Sequence, residues 1–253
     1  MKNLALLIEY DGTNFGGWQI QPNSPTIQEE IQNAFFELIR KPCILVGAGR
    51  TDAGVHALGQ VANTLLDDDF PIPESKIAVA LNSKLPEDIR IKQAIFVNEE
   101  FHARYDAVAR EYEYFVHTEE SVFQKYFSTY YKYPIDEDIL FHVAHLFKGE
   151  HDFTSFSKNN PSTKSYICNV DLCEWDRVSD TQFRLRVRAN RFVYGMIRSL
   201  VGAMLDTASS KIFPTDLLYG LQNPSRDNFI KLAAPTGLIF KRIYYPSEIF
   251  AKK

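Results

Sequence analysis

The chain has 253 residues, 45% of them hydrophobic and 24% charged, an ordinary globular composition that fits one large domain or two of average size and excludes a disordered polymer. Its formal net charge of −4 argues against binding nucleic acid through overall charge, while leaving room for a local basic face. Cys43, Cys168 and Cys173 form no Cys-x-x-Cys pair, which excludes a disulfide framework and a cysteine zinc site; no signal-peptide pattern follows Met1 and no apolar run reaches membrane-spanning length, so the expectation is a soluble cytoplasmic chain without a membrane segment.

Leu4 to Tyr10 is an apolar run of strand length, broken by the turn residues Asp11-Gly12-Thr13-Asn14. Phe15-Gly16-Gly17-Trp18-Gln19 is a glycine-flexed loop with two aromatics. Thr26 and Glu29 form a capping-box pair, and Ile27, Ile31, Ala34, Phe35 and Leu38 then share a helix face. Pro42 stops that helix, and Cys43 to Val46 is the next expected strand. Gly59 to Leu66 is another, ended by Asp67-Asp68-Asp69, which reads as a solvated turn in preference to a metal site. Ile72 to Leu81 is a short helix and Ile89 to Phe96 a strand. The pattern changes at residues 99–107, which places the boundary between residues 1–104 and 105–253.

In the second half, Tyr112 to Val116 is a strand, Asp136 to Phe147 a helix, and Asn169 to Trp175 and Gln182 to Ala189 two strands joined by a hairpin-like turn. Arg191 to Ser209 is a long helix, Pro214 to Gly220 a short one, and Leu238 to Tyr245 a closing strand. The first half reads β-α-β-β-α-β, and the second has a comparable order. The expected fold class is therefore α+β: two ferredoxin-like (RRM-like) halves, making a largely antiparallel sheet with helices on one face.

Between the second and third expected strands lies Gly47-Ala48-Gly49-Arg50-Thr51-Asp52-Ala53-Gly54-Val55-His56. The spacing fails both the dinucleotide fingerprint, whose third glycine would fall at Asp52, and the phosphate loop, which needs Gly-Lys-Ser/Thr. What remains is a carboxylate with a guanidinium two residues before it. Arg50 favours the ionised form of Asp52, and an ionised carboxylate free of metal serves as a nucleophile or general base; a glycine-rich turn carrying a surface Arg–Asp pair is the plainer reading. His56 reads as packing under the loop, and His142, His145 and His151 as structural or exposed.

A second constellation is basic. Arg184, Arg186 and Arg188 alternate with Phe183, Leu185 and Val187, so period two puts the arginines on one strand face. Three like charges there repel, and either solvent or a polyanion accounts for them. Arg104, Arg110, Tyr105, Tyr112, Tyr114, Phe15 and Trp18 add the mixture of guanidinium and aromatic groups that RNA-binding surfaces use.

Several segments together resemble one family. Gly49-Arg50-Thr51-Asp52-Ala53-Gly54-Val55-His56-Ala57 is similar to the signature of the TruA family of tRNA pseudouridine synthases. The likeness extends, in family order, to Tyr10-Asp11-Gly12-Thr13 with Gly17-Trp18-Gln19, Phe101-His102-Ala103-Arg104-Tyr105, Arg110-Glu111-Tyr112-Glu113-Tyr114, His151-Asp152-Phe153-Thr154-Ser155-Phe156, Ala189-Asn190 through Met196-Ile197-Arg198 to Gly202, and Ala234-Pro235 with Gly237-Leu238. The resemblance implies an isomerase that converts uridine to pseudouridine at positions 38 to 40 of the tRNA anticodon stem-loop. It implies no cofactor and no metal, a homodimer, and two halves flanking a positively charged central cleft. It maps the catalytic aspartate to Asp52, the active-site tyrosine to Tyr112 and the basic partners to Arg50 and Arg198. Retaining the detached uracil for re-attachment calls for a snug, partly apolar pocket, for which Val55 and Leu238 are candidate walls, and the basic residues read above, Arg104, Arg110, Arg184, Arg186 and Arg188, are available to the RNA. Lys164-Ser165-Tyr166, Arg191 and Tyr194 depart from the family pattern. A non-catalytic RNA-binding protein of the same fold is the competing expectation; it would not need Asp52.

Overall fold

The computed structural model describes residues 1–226 and 231–250. The chain folds into two compact units, Met1–Val108 with Ile239–Lys253, and Ala109–Leu238. The fold is α+β, and its strand pairing is mostly antiparallel.

In the first unit, β1 (Lys2–Tyr10), α1 (Ile27–Ile39), β2 (Val46–Gly47), β3 (His56–Leu66), α2 (Glu74–Asn82) and β4 (Ile89–Val97) follow in the expected order. β1 lies between β4 and β3, antiparallel to both, and β2 pairs antiparallel with β3. This is the strand arrangement of a split βαβ unit. α1 begins where the sequence places it: Thr26 is the N-cap, and its side chain accepts the Glu29 amide. Ile27, Ile31, Ala34 and Phe35 face the core. β2 is shorter than the expected Cys43–Val46 strand, because residues 43–45 make no ladder. Leu45 is instead tied to α1, its carbonyl accepting from Gln28 and its amide donating to Gln32.

β10 (Leu238–Tyr244) pairs parallel with the start of β3, Ile239 opposite His56 and Phe240 opposite Ala57. Residues 239–253 thus belong with the first unit, not with the residues that precede them in sequence.

In the second unit, β5 (Ala109–His117), β9 (Gln182–Ala189), β8 (Ile167–Ser179) and β7 (Gly149–Asp152) form an antiparallel run in that spatial order, and β6 (Thr129–Tyr130) pairs parallel with β5. α3 (Glu137–Ala144) is capped by Asp136, whose side chain accepts the Ile139 amide, and a 3-10 turn, His145–Phe147, completes the expected helical span. α4 (Met196–Ala208) starts five residues later than expected. Gly195, at φ 72°, sits in the left-handed region and ends the irregular segment that holds Arg191 and Tyr194. α5 is Pro214–Gln222. β6 and β7, of two and four residues, carry no readable period of their own. Among the described residues, no helix is long and apolar enough to cross a membrane.

Candidate active site

The loop from Ala48 to Val55 leads from β2 into β3, and its backbone is anchored along its length. The Ala48 amide donates to Val61 O at 2.8 Å, and the Trp18 amide to Thr51 O at 3.1 Å. The Gly54 amide donates to Phe15 O at 3.4 Å, and Val55 N to Asp52 O at 3.2 Å. Gln60, fully buried, donates from Nε2 to Gly49 O at 2.8 Å. The Tyr10 hydroxyl and Thr51 Oγ1, both buried, are 2.8 Å apart. Asp52 is therefore half-buried on a stiff backbone, with Arg50 exposed beside it. Val55 and His56 are buried beneath the loop; His56 Nδ1 accepts the Gly12 amide at 3.2 Å.

Glycines make this packing possible, mostly from outside the loop. A Cβ on Gly12 would overlap the Val55 carbonyl. Gly17, at φ 98°, passes so close that a Cβ would lie 2.5 Å from Thr51 O, and the Trp18 ring covers Gly47 at the same range. Gly54, at φ 76°, supplies the turn after Asp52.

In the second unit, Tyr112 is 8% exposed on β5 and meets Phe192 edge-on at 5.2 Å. Arg198 projects from the first turn of α4. Its Nε donates to Ala233 O at 2.7 Å, while the Ala233 amide donates to Arg198 O at 2.9 Å. The next carbonyl, Ala234 O, accepts the Tyr114 hydroxyl at 2.8 Å, and Thr129 Oγ1 lies 2.7 Å from that hydroxyl. Burial pushes the Tyr114 hydroxyl pKa far up, partly offset by Thr129 and by the charge of Arg198. Gly202 and Gly237 leave room for this segment: a Cβ on Gly202 would overlap Lys231 O, and one on Gly237 would lie 2.5 Å from Phe115 O. Leu238 follows, buried at the start of β10.

The β9 arginines do share a face, but like-charge repulsion is not their condition. Arg184 pairs with Asp176 at 2.8 Å and Glu113 at 3.5 Å, Arg186 with Asp176 at 3.1 Å, and Arg188 with Asp171 at 2.9 Å. The carboxylates come from the adjacent strands β8 and β5, so the sheet neutralises its own basic stripe. Arg104 stacks over the exposed Tyr105 ring at 5.6 Å, and Arg110 donates to Asn190 O at 2.9 Å.

The structure thus brings Arg50, Asp52 and Val55 together on one loop of the first unit, and Arg198 together with the 233–238 segment in the second. Gln60 and Thr129 are supporting residues that the sequence did not single out, and Tyr10, Gly12, Thr51 and Tyr114, though they stand in segments it did single out, gave no sign there of their supporting contacts. Tyr10 and Gly12 stand in a recognisable segment, but nothing local says that it packs on a loop some forty residues away. The three thiols are buried, and burial pushes Cys43 and Cys168 up to about 11 and Cys173 to about 12, so none is a ready nucleophile. Asp67 of the acidic run pairs with Lys41 at 2.5 Å. Among the described residues, no three His, Cys, Asp or Glu side chains converge to hold a metal ion.

The α+β chain matches the model of the tRNA pseudouridine synthase family over residues 6–106 and 143–246, and it belongs to that family. These enzymes are isomerases that convert uridine to pseudouridine. The chain is 38% identical to tRNA pseudouridine synthase A 1 of Protochlamydia amoebophila, over 98% of each chain. It is 38% identical to tRNA pseudouridine synthase A of Bacillus pumilus, over 94% of this chain and 97% of that one. With tRNA pseudouridine synthase A of Chlorobium luteolum it shares 35% over 100% and 99%.

Proposed function

We propose that this chain converts uridine to pseudouridine in the anticodon stem-loop of tRNA, at positions 38 to 40, with Asp52 as the catalytic carboxylate. The observation that carries the reading is the match of nearly the whole chain to the family; Asp52, which the resemblance of residues 49–57 makes the catalytic aspartate, lies on a loop anchored at Ala48, Gly49, Thr51 and Gly54. An anchored loop holds a reacting group without reorganisation during the reaction.

The isomerisation breaks the bond between C1′ and N1, turns the uracil, and joins C1′ to C5; the C5 proton leaves and N1 gains one. No redox equivalent or energy-rich nucleotide enters that balance. Asp52 acts as nucleophile or base. The uridine leaves its stack to reach it, at a cost of a few kcal/mol. Arg50, exposed beside Asp52, occupies the vacated space or holds the flipped nucleotide. Tyr112 serves the uracil, its hydroxyl assisting proton transfer at C5, and Arg198 keeps the carboxylate charged, with Val55 and Leu238 as apolar walls. Arg104 and Arg110 contact the RNA; the β9 arginines do so only with the charge left over from their ion pairs. The working form is a cytoplasmic homodimer.

Asp52→Asn is expected to abolish tritium release from tRNA labelled at uridine C5 while tRNA binding persists. Turnover by Asp52→Asn at the wild-type rate would overturn the assignment, and a wild-type protein that binds tRNA without releasing tritium would be an RNA-binding protein instead.

A further inference from the structure

A cavity of about 300 Å³ opens on the second unit between the segment 129–133, α4 and residues 231–234. Its wall carries Tyr130-Tyr131-Lys132-Tyr133, with an exposed ring at either end. Tyr130 and Tyr133 are 42% and 41% exposed, and Tyr131 meets Tyr133 edge-on at 5.5 Å. Three lysines stand around these rings. Lys211 Nζ lies 3.5 Å from the centre of the Tyr133 ring, Lys132 Nζ lies 5.3 Å from it, and Lys231 reaches in from the far side with its side chain 71% exposed. Asp206 pairs with two of them, 3.0 Å from Lys211 and 3.5 Å from Lys231. The nearby Asp136 is spent on the cap of α3. Gly202, against which the Lys231 carbonyl packs, and the small residues Ala233 and Ala234 complete the lining.

Lys211 and Lys231 share the one Asp206 carboxylate and Lys132 stands over the Tyr133 ring; this surplus of positive charge calls for an anion, and the exposed tyrosines beside it call for a flat, partly apolar group. A nucleotide of RNA has both: the phosphate meets the lysines, and the base or ribose lies against the rings. A second copy of this chain fits less well, since lysine is depleted at the core of protein interfaces, whereas here a lysine accompanies the exposed ring of Tyr133. The volume stands at the lower end of small-ligand sites, enough for one nucleotide unit. Nothing in the proposed chemistry uses these side chains.

We propose that this groove is an auxiliary RNA-binding site that takes one unpaired nucleotide of the tRNA substrate, with its phosphate on Lys132 and Lys231 and its nucleoside against Tyr130 and Tyr133. The inference rests on tRNA being the substrate. It is tested on the full chain with tRNA carrying 4-thiouridine, irradiated, digested and read by mass spectrometry, alongside KM in the tritium assay. The expected result is a nucleotide adduct on residues 129–133, and a KM for tRNA raised roughly tenfold by Tyr133→Ala and by Lys132→Glu with Lys231→Glu, the scale of one lost stack or two lost phosphate contacts. The double lysine variant should also flatten the salt dependence of binding. Adducts confined to other peptides, with KM unmoved, would overturn the site. So would variants that change only the sedimentation of the protein, which would make the groove a face between copies. A wild-type protein that releases no tritium would sink the functional reading by itself, and the adduct map would still decide the groove.

Discussion

Asp52 owes its setting to side chains that do no chemistry themselves. Tyr10 is the clearest. It is 3% exposed at the end of β1, its hydroxyl 2.8 Å from Thr51 Oγ1, one residue before the aspartate. Burial drives its pKa far above the ordinary tyrosine value, so the group stays neutral and keeps a proton to donate at any working pH. Tyr10→Phe removes that hydroxyl and leaves Thr51 with one partner fewer in a buried setting, a loss of about 1–3 kcal/mol. The expected outcome is a lowered melting temperature together with a lowered kcat, read by thermal denaturation and by tritium release. A fall in stability with kcat unchanged would mean that Thr51 does not set the position of Asp52.

At the scale of elements, the glycine loop is half of a packed pair. The other half is the segment between β1 and α1, which offers Gly12 and Gly17 where a side chain would strike the Val55 and Thr51 carbonyls. Gly12→Ala forces the two segments apart, an overpacking expected to cost about 1–3 kcal/mol and to lower activity more than stability alone explains. Urea denaturation with kinetics on the remaining folded fraction checks it; full activity per folded molecule would refute the coupling. The same device recurs in the second unit, where Gly202 and Gly237 admit the chain from 231 to 238 against α4 and β5, and Tyr114 and Arg198 pin its carbonyls.

For the molecule as a whole, charge is arranged locally and the net value says little. The chain is acidic overall, yet carboxylates on β8 and β5 answer the arginines of β9, while lysines gather around the tyrosines of the 129–133 segment. Proton linkage adds a global consequence. His117 is 2% exposed on β5, its Nδ1 2.9 Å from Ser128 Oγ, and burial lowers its pKa below the ordinary 6.5. Below pH 6.5 the unfolded chain therefore binds a proton that the folded chain resists, and stability falls as pH falls through that value. The urea midpoint should drop on acidification through this window, and drop less in His117→Gln. An identical pH dependence in the variant would assign the effect elsewhere.

Sequence by itself determined the alternation of strands and helices, since period two in β9 and the capped 3.6-residue period in α1 are local properties that burial then exploits. It also singled out the Arg50–Asp52 loop, because glycine, arginine and aspartate crowd into a stretch that serves neither helix nor strand. The shortest elements were hard to read: β6 and β7 hold too few residues to show a period, and β2 was expected over Cys43–Val46 but pairs only at Val46–Gly47. The start of α4 was misplaced because residues 191–195 share the helix's mixture of residue types, and the left-handed Gly195 alone breaks it. What only tertiary structure decided are the relations between distant segments. Charge on one strand looks like repulsion until its neighbours bring Asp171, Asp176 and Glu113 alongside. The conformational demand on Gly12 and Gly17 comes from carbonyls some forty residues away, and a local pattern cannot encode which backbone will pass within van der Waals reach of another.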